Sequence, residues 1–286
     1  MQKLVYVPPG YEHKDGVILT TAEPYVMSTV SGLGGVEASI LSSAVVGMNG
    51  NYYQGNRVDS RLVQCTVYVR GADRRDMYQK RCRLIGMLTP KDKLGTLYYT
   101  NDYISVKTSA IPQMTPDFNE RIKNYNKADI TFWCPSPDWE ALQSKRETIA
   151  YIEGIGFELP FQFPASFSML KDEIYIDYLG TQSAPVQITI VGPAQNPTIT
   201  NETTGKSIGL IGKSLGSDER LIINTERGNK SVKLNKDGVV QDAFQYINPI
   251  SEFWQLECGV NHIVYKSDDS VATQIYIEYT ERYSGV

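Results

Sequence analysis

"SEFWQLECGVNHIVYKS", residues 251–267, gathers one of the chain's three Trp, one of its four Cys and one of its two His within a few positions. Its reading decides between a reactive centre and the corner of a β-structure. Phe253 or Trp254 opens a run that ends at Leu256. Glu257 to Asn261 then reads as a turn, where Gly259 and Asn261 tolerate positive φ. His262 to Tyr265 begins the next strand, with Ile263 and Tyr265 on one side. Cys258 and His262 straddle the turn, but a zinc site takes three or more protein ligands. The stretch is therefore expected to be a corner, with Trp254 as a core plug.

Outward from this corner the C-terminal part is nearly all β. "VQITIVG" places Val186, Ile188 and Ile190 on one face. "RLIINT" and "KSVKLN" flank Glu226-Arg227-Gly228-Asn229 as a hairpin, and Lys236-Asp237-Gly238 is another turn. "TQIYIEYTERY" sets Ile275, Ile277 and Tyr279 inward. Short strands separated by turn signals argue for an antiparallel sandwich.

Residues 139–165 change character. "ALQSKRETIAYIEG" is polar and helix-tolerant, and "GIGFELPFQFPASF" is rich in Gly, Pro and Phe, which suits an ordered linker. Before it, "RLVQCTVYV" alternates, with Val63, Cys65, Val67 and Val69 on one face. "DRRDMYQKRCRLIGML" changes to helical spacing, with Met77, Leu84, Ile85 and Leu88 on one stripe, and Pro90 stops it. "GTLYY" and "YISVKT" flank a hairpin turn at Thr100-Asn101-Asp102, and "KADITFWCP" is a further strand cut off by Pro135 and Pro137. The expected class is mainly β. An α+β N-terminal domain with one helix spans 1–138, a linker spans 139–165, and a β-sandwich spans 166–286.

Composition narrows the function. The 286 residues carry a formal charge of −4, and the one basic run, "RGADRRDMYQKRCR", reads as the solvated face of a helix rather than a nucleic-acid patch. Tyr is abundant, 19 against 8 Phe, which suits half-buried sheets and protein interfaces. Cys65, Cys82, Cys134 and Cys258 form no CxxC pair, and three of them sit in apolar contexts that predict buried thiols. The start of the chain lacks an apolar signal region, and no run is long enough to span a membrane, so folding in a reducing cytoplasm is expected.

Catalytic and ligand motifs fail one by one. Gly205-Lys206-Ser207 and Gly212-Lys213-Ser214 are Walker-like, but Thr200 and Ser207 stand where a P-loop needs its first Gly. "KLNKDG" begins like a calcium loop, but Lys233 occupies the first ligand position and the bidentate Glu is missing. His13 and His262 are the only histidine bases, and neither a GxSxG elbow nor an HExxH helix occurs. A carboxylate pair for glycoside hydrolysis cannot be chosen by counting. No enzyme activity, cofactor or metal is expected.

The order of these pieces resembles the distal tail protein family of long-tailed phages that infect Gram-positive bacteria, together with its prophage-derived relatives. In the first half the resemblance rests on "VSGLGG" (31–36), "GMNG" (47–50), Arg61 opening its strand, the helix ending "MLTPKDKLGTLYY", and "ITFWCPSPDW" (130–139). In the second half it rests on "APVQITIVGPAQNPTITNETTGKSI" (184–208), "RLIINTERGNKSVKL" (220–234), "SEFWQLECGVNHIVY" and "YTERYSGV". Cys258 departs from the common Pro before Gly259. The positions expected to specify turns and core are Arg61, Gly95, Pro135, Gly192, Asn196, Pro197, Trp254, Gly259 and Asn261.

The resemblance implies a structural virion protein at the tail tip, assembled in the host cytoplasm. It implies a homo-hexameric ring with a split-barrel-like N-terminal domain and a galectin-like sandwich. Its partners would be the tail-tube protein, the hub or fibre protein and receptor-binding proteins. DNA would pass through the lumen without sequence-specific binding, and there would be no membrane contact. Six copies would carry −24, which suits a conduit that should not attract phosphates. The alternative reading is a carbohydrate-binding module of a host-recognition apparatus, with Tyr175, Tyr178 or Tyr246 as the displayed rings.

Overall fold

The computed structural model describes residues 2–47, 49–150, 172–268 and 273–286. The chain divides into two compact units, Met1–Leu142 with Tyr283–Val286, and Gln143–Arg282.

The first unit is built from β1 (Lys3–Val7), β2 (Val17–Thr20), β3 (Tyr25–Ser31), β4 (Ala38–Ala44), β5 (Asn51–Val58), β6 (Arg61–Arg70), α1 (Arg74–Leu88), β7 (Gly95–Thr100), β8 (Ser105–Pro112), β9 (Asp117–Ile122), β10 (Tyr125–Cys134) and β11 (Trp139–Ala141). Seven strands run in the order β8-β7-β1-β2-β3-β6-β10. β10 then pairs back onto β8 through Phe132 opposite Pro112 and Trp133 opposite Ile111, so the sheet closes into a barrel. The seam between β2 and β3 is a single parallel pair, Thr20 with Val26. Alternation fills the interior: Val63, Cys65, Val67 and Val69 of β6 are buried, as are Ala128, Ile130, Phe132 and Cys134 of β10. Closure removes most of the open edges that a flat sheet of this size would expose.

α1 starts on reciprocal caps. Asp73 accepts from the Asp76 N–H and Asp76 accepts from the Ala72 N–H, each at 2.8 Å. The helix ends where Thr89 donates back to the Ile85 carbonyl at 2.7 Å, just before Pro90. Met77, Leu84 and Leu88 are buried. Cys82 lies off that stripe and is exposed, so the expected third buried thiol is not there; Cys65 and Cys134 are buried and Cys258 is exposed.

The second unit carries β12 (Lys145–Ala150), β13 (Glu173–Tyr178), β14 (Ala184–Val191), β15 (Ala194–Gln195), β16 (Thr198–Asn201), β17 (Lys206–Gly209), β18 (Ser214–Leu215), β19 (Glu219–Asn224), β20 (Ser231–Lys236), β21 (Val239–Asp242), β22 (Gln255–Leu256), β23 (Gly259–Lys266) and β24 (Gln274–Tyr279). β25 (Arg282–Tyr283) leads the chain back into the first unit. One sheet runs β12-β24-β14-β19-β20-β21, with β22 added to β14, and the other runs β13-β23-β16-β17. Their inward residues form one core that includes Val186, Ile188, Ile190, Ile275 and Ile277, with Trp254 at 1% exposure. The mostly β class expected from alternation and turns is therefore what the structure shows.

Of the stretch expected as a linker, residues 139–141 form β11 and 145–150 form β12, while 151–165 lie outside the described residues. β12 is polar because its outward residues are: Arg146 pairs with Glu278, while Ile149 is buried opposite Ile275. Sheet pairing overrides the helix tolerance of that sequence.

Candidate functional site

β3 and β6 are sheet neighbours, and the chain between them extends into a ribbon of β4 and β5. Seven and eight residues at about 3.3 Å each give an arm of about 25 Å. Nearly every arm residue is exposed, including Ile40, Leu41, Val45, Val46, Tyr52 and Tyr53, with Val46 fully so. A bulge at Gln54, between the pairs Leu41–Gly55 and Ser42–Tyr53, shifts the register. This arm buries almost nothing within its own chain, and apolar surface of this extent signals a partner.

The root of the arm is fixed by Arg61, which is 1% exposed. Its Nη1 donates to the carbonyls of Gly32 at 2.6 Å and Gly34 at 2.7 Å. Nε and Nη2 donate to Pro137 O at 2.8 and 2.6 Å, and Nη2 also reaches Ser284 O at 2.6 Å. All five bonds go to backbone, so the guanidinium ties together the loop before β4, the exit from β10 and the C-terminal tail. Trp139 completes the clamp, with its ring 5.5 Å from the guanidinium carbon and its indole N–H on Leu33 O at 3.2 Å. Burial lowers the Arg61 pKa from its ordinary value, and nearby Cys134 and Asp138 oppose that shift. An arginine starts high enough to stay charged.

Gly32 has φ +82°, and a Cβ there would lie 1.8 Å from the Leu62 carbonyl oxygen, so the loop can fold back over β6 only as glycine. On the outer side Asp59 accepts from Ser39 Oγ at 2.6 Å and Arg57 at 2.9 Å. Those two donors hold its carboxyl below the usual carboxylate range. Trp133 and Leu62, paired across β10 and β6, leave a partly exposed apolar patch at the root.

Farther along the outer face of β3, β6 and β10 lies a groove of ≈ 570 Å³, lined by Ala22, Val26, Tyr68 and Tyr125. Arg70 lies over the Tyr125 ring at 5.2 Å and pairs with Glu23. Arm and groove are separate apolar surfaces on one unit.

The other positions singled out in the sequence are dispersed. Gly95 opens β7, where a Cβ would meet Val7 O at 2.5 Å. Pro135 follows β10. Gly192 follows β14, where a Cβ would lie 2.1 Å from Gly216 O. Asn196 adopts φ 46° and donates to Asp268 at 2.7 Å, and the Pro197 carbonyl accepts from Leu210 N–H at 3.0 Å. Trp254 Nε1 donates to Ile199 O at 3.4 Å, and Gly259 has φ +91°.

Asn261 differs from expectation. It lies within β23, fully buried, and acts through its side chain. Its Oδ1 accepts from Glu257 N–H at 2.9 Å, and its Nδ2 donates to Glu257 O and Gly259 O at 2.7 and 3.0 Å. The amide stitches the turn closed, which a left-handed backbone at Asn261 would not do.

Among the tyrosines expected on a sugar-binding face, Tyr178 is buried. Its hydroxyl donates to Gln182 O at 2.7 Å and accepts from Arg282 N–H at 2.8 Å. Tyr246 is half-buried beneath Lys213, and Tyr175 is exposed but stacked flat on His262, centroids 4.4 Å apart. His262 Nε2 in turn contacts Glu173 at 2.7 Å. The three rings do not form one face. The arm itself escaped the sequence reading; two β-prone runs around the Gly-rich "GMNG" were the available signal.

Comparison with known proteins follows the same division. A siphovirus-type tail component C-terminal domain matches residues 179–283, and a phage tail protein RIFT-related domain matches residues 15–134. Among solved structures, the chain is similar to the SPP1 Dit (gp 19.1) protein, described as a paradigm of the hub adsorption apparatus in phages infecting Gram-positive bacteria. The TM-score is 0.67 at 11% identity, covering 99% of both chains. A chain of the phage P2 baseplate, in its activated conformation with Ca, aligns at TM-score 0.45 and 12% identity over 97% of this chain and 98% of that one. No curated protein sequence matches.

Proposed function

The chain belongs to the siphovirus-type distal tail protein family and is a structural component of the virion's tail, and from that premise we propose that it closes a head-to-tail ring at the tail tip. Six copies would form this ring, joining the tail tube to the hub or fibre protein and offering a platform for receptor-binding proteins. The observation that carries the reading is the exposed apolar arm of β4 and β5, rigidly rooted by Arg61. A closed ring needs a heterologous contact, in which one surface of a copy meets a different surface of the next. The arm supplies the first surface and the Tyr68–Tyr125 groove the second. Fully burying one large apolar side chain contributes roughly 1.5–3 kcal/mol before the entropy of association is subtracted. Four arm residues would therefore contribute about 6–12 kcal/mol gross, of the same order as an association cost of about 4–15 kcal/mol.

The test is a mixing experiment with the full chain. An arm variant, with Ile40, Leu41, Tyr52 and Tyr53 replaced by Ser, and a groove variant, Tyr68→Ser with Tyr125→Ser, should each be monomeric by light scattering. Mixed together they retain one intact contact and should form a dimer that cannot grow. Rings from either variant alone, or no dimer in the mixture, would remove the arm-to-groove reading.

A further inference from the structure

β21 ends the longer sheet of the second unit, and all four of its residues are exposed. Val239 and Val240 stand 59% and 53% exposed. The two-residue loop Asp237-Gly238 joins β21 to β20, with Lys236 opposite Val239 and Asn235 opposite Val240. In such a hairpin the pair flanking the loop exchanges hydrogen bonds and the next pair does not. The N–H and C=O groups of Val240 and Asp242 therefore face away from β20, toward the open side. Natural edges are commonly blunted by proline or a bulge. β21 contains no proline, and its register with β20 is unbroken.

Charge supplies an independent observation. Residues 143–282 contain twelve Lys and Arg against eighteen Asp and Glu, a net of −6. Against that background Lys206, Arg227, Lys230 and Lys233 gather beside this edge. They line two adjoining depressions, of ≈ 340 and ≈ 380 Å³, that share Lys230. Phe244 and Phe253 stack across the boundary, centroids 5.8 Å apart, with Lys230 5.1 Å above the Phe253 ring. Glu252 approaches Lys206 at 3.9 Å. Among the described residues Arg227, Lys230 and Lys233 make no ion pair within 4 Å, although Asp242 stands opposite Lys233 across the β20–β21 pair.

We propose that this surface docks an extended, acidic segment of another tail protein, which adds to β21 as a further strand. Outward backbone groups select a polypeptide in extended form, Val240 and Phe244 select alternate apolar side chains, and the lysines select carboxylates between them. The inference concerns the second unit and goes beyond ring closure, which uses the first.

The probe is acetyl-(Glu-Val)3-amide titrated into the isotope-labelled full chain and followed by NMR. Shifts are expected at residues 239–242, Lys230, Lys233 and Phe244, with the matching Lys-Val peptide at least tenfold weaker. Lys230→Glu with Lys233→Glu should weaken binding at least tenfold. Val240→Pro removes an N–H that β20 does not use, so it should abolish docking while β20–β21 pairing persists. Several results would overturn the proposal: no binding, equal binding of both peptides, binding that survives Val240→Pro, or inorganic polyphosphate reproducing the shifts, which marks an anion patch only. Concentration-dependent self-association through β21 would overturn it too, by making a second copy the occupant. Light scattering of the same samples reports ring formation separately, so failure of the ring reading is read independently.

Discussion

Replacing Arg61 by Met keeps the unbranched stem of the side chain and removes all of its donors. Four carbonyls, those of Gly32, Gly34, Pro137 and Ser284, then lose their partner. A buried polar group left unpaired costs about 1–3 kcal/mol, so four set a ceiling of about 12 kcal/mol. Loop carbonyls can turn toward water, and the variant no longer desolvates a cation. Breaking a buried charged network by removing one partner typically costs about 3–5 kcal/mol. We expect about 4 kcal/mol, confined to the first unit. For a unit of this size about 3–4 °C accompanies each kcal/mol, so its transition should fall by roughly 12–16 °C while that of the second unit stays in place. Calorimetry of the full chain reads both. Lys at this position keeps the charge and up to three donors but not the planar fork, so Arg61→Lys should recover about half of the loss. Amide exchange adds a local check: the Val286 N–H, bonded to Leu33 O at 3.1 Å, should lose protection in both variants. A first-unit shift under about 3 °C, or equal movement of both transitions, would refute the clamp.

The remaining predictions are simpler. Gly32→Ala forces a Cβ into the Leu62 carbonyl at φ +82°, and thermal unfolding should show the first unit weakened by more than about 3 kcal/mol. Trp254→Ala empties the centre of the sandwich and should destabilise the second unit alone by about 3–5 kcal/mol, read by denaturant titration. Burial pushes the phenols of Tyr6, Tyr178 and Tyr279 up to about 12, above their ordinary value of 10. A raised acid favours folding while it stays neutral. That contribution is fully present below pH 10 and lost as the pH rises through 12. Phenolate absorbance should therefore show these rings ionising together with unfolding, after the exposed tyrosines.

Much of the fold was legible because one face of most strands is buried. Val63, Cys65, Val67 and Val69 alternate for that reason, and so do Ile275, Ile277 and Tyr279. The corner at 251–267 was legible through Trp254 and Gly259. What escaped has a common physical origin. β4 and β5 bury neither face in their own chain, so no alternation was imposed on them. β12 takes its conformation from β24, a partner more than a hundred residues away in sequence. Arg61 stood out only through a family resemblance; its acceptors at 32, 34, 137 and 284 meet through the fold, and no local pattern encodes them. Asn261 was read through backbone tolerance, whereas its amide is the working part. Tyr178 was offered as a displayed ring beside Tyr175, but the two stand three residues apart in one strand and so on opposite faces, and Tyr178 takes the buried one.

Charge is divided unevenly between the two units. The total of −24 for six copies treats the chain as uniform, but the two units differ in sign. Residues 1–142 and 283–286 contain sixteen Lys and Arg against fourteen Asp and Glu, a net of +2, and the remaining −6 belongs to residues 143–282. If the first unit builds the ring, the wall that DNA passes is drawn from a mildly basic unit, and the overall acidity says nothing about it. Low affinity for DNA would then depend on where individual cations sit. α1 concentrates Arg74, Arg75, Lys80, Arg81 and Arg83 within ten residues; Lys80 pairs with Asp76 at 2.7 Å and Arg81 lies 4.2 Å above Phe118. Phosphate attraction scales with the number of cations that reach the backbone, not with net charge. A ring that passes DNA freely must therefore turn this helix away from its lumen or cover it with a neighbouring subunit. The same reasoning assigns the acidic surface of the second unit to solubility and partner choice, against which the basic border of β21 stands out.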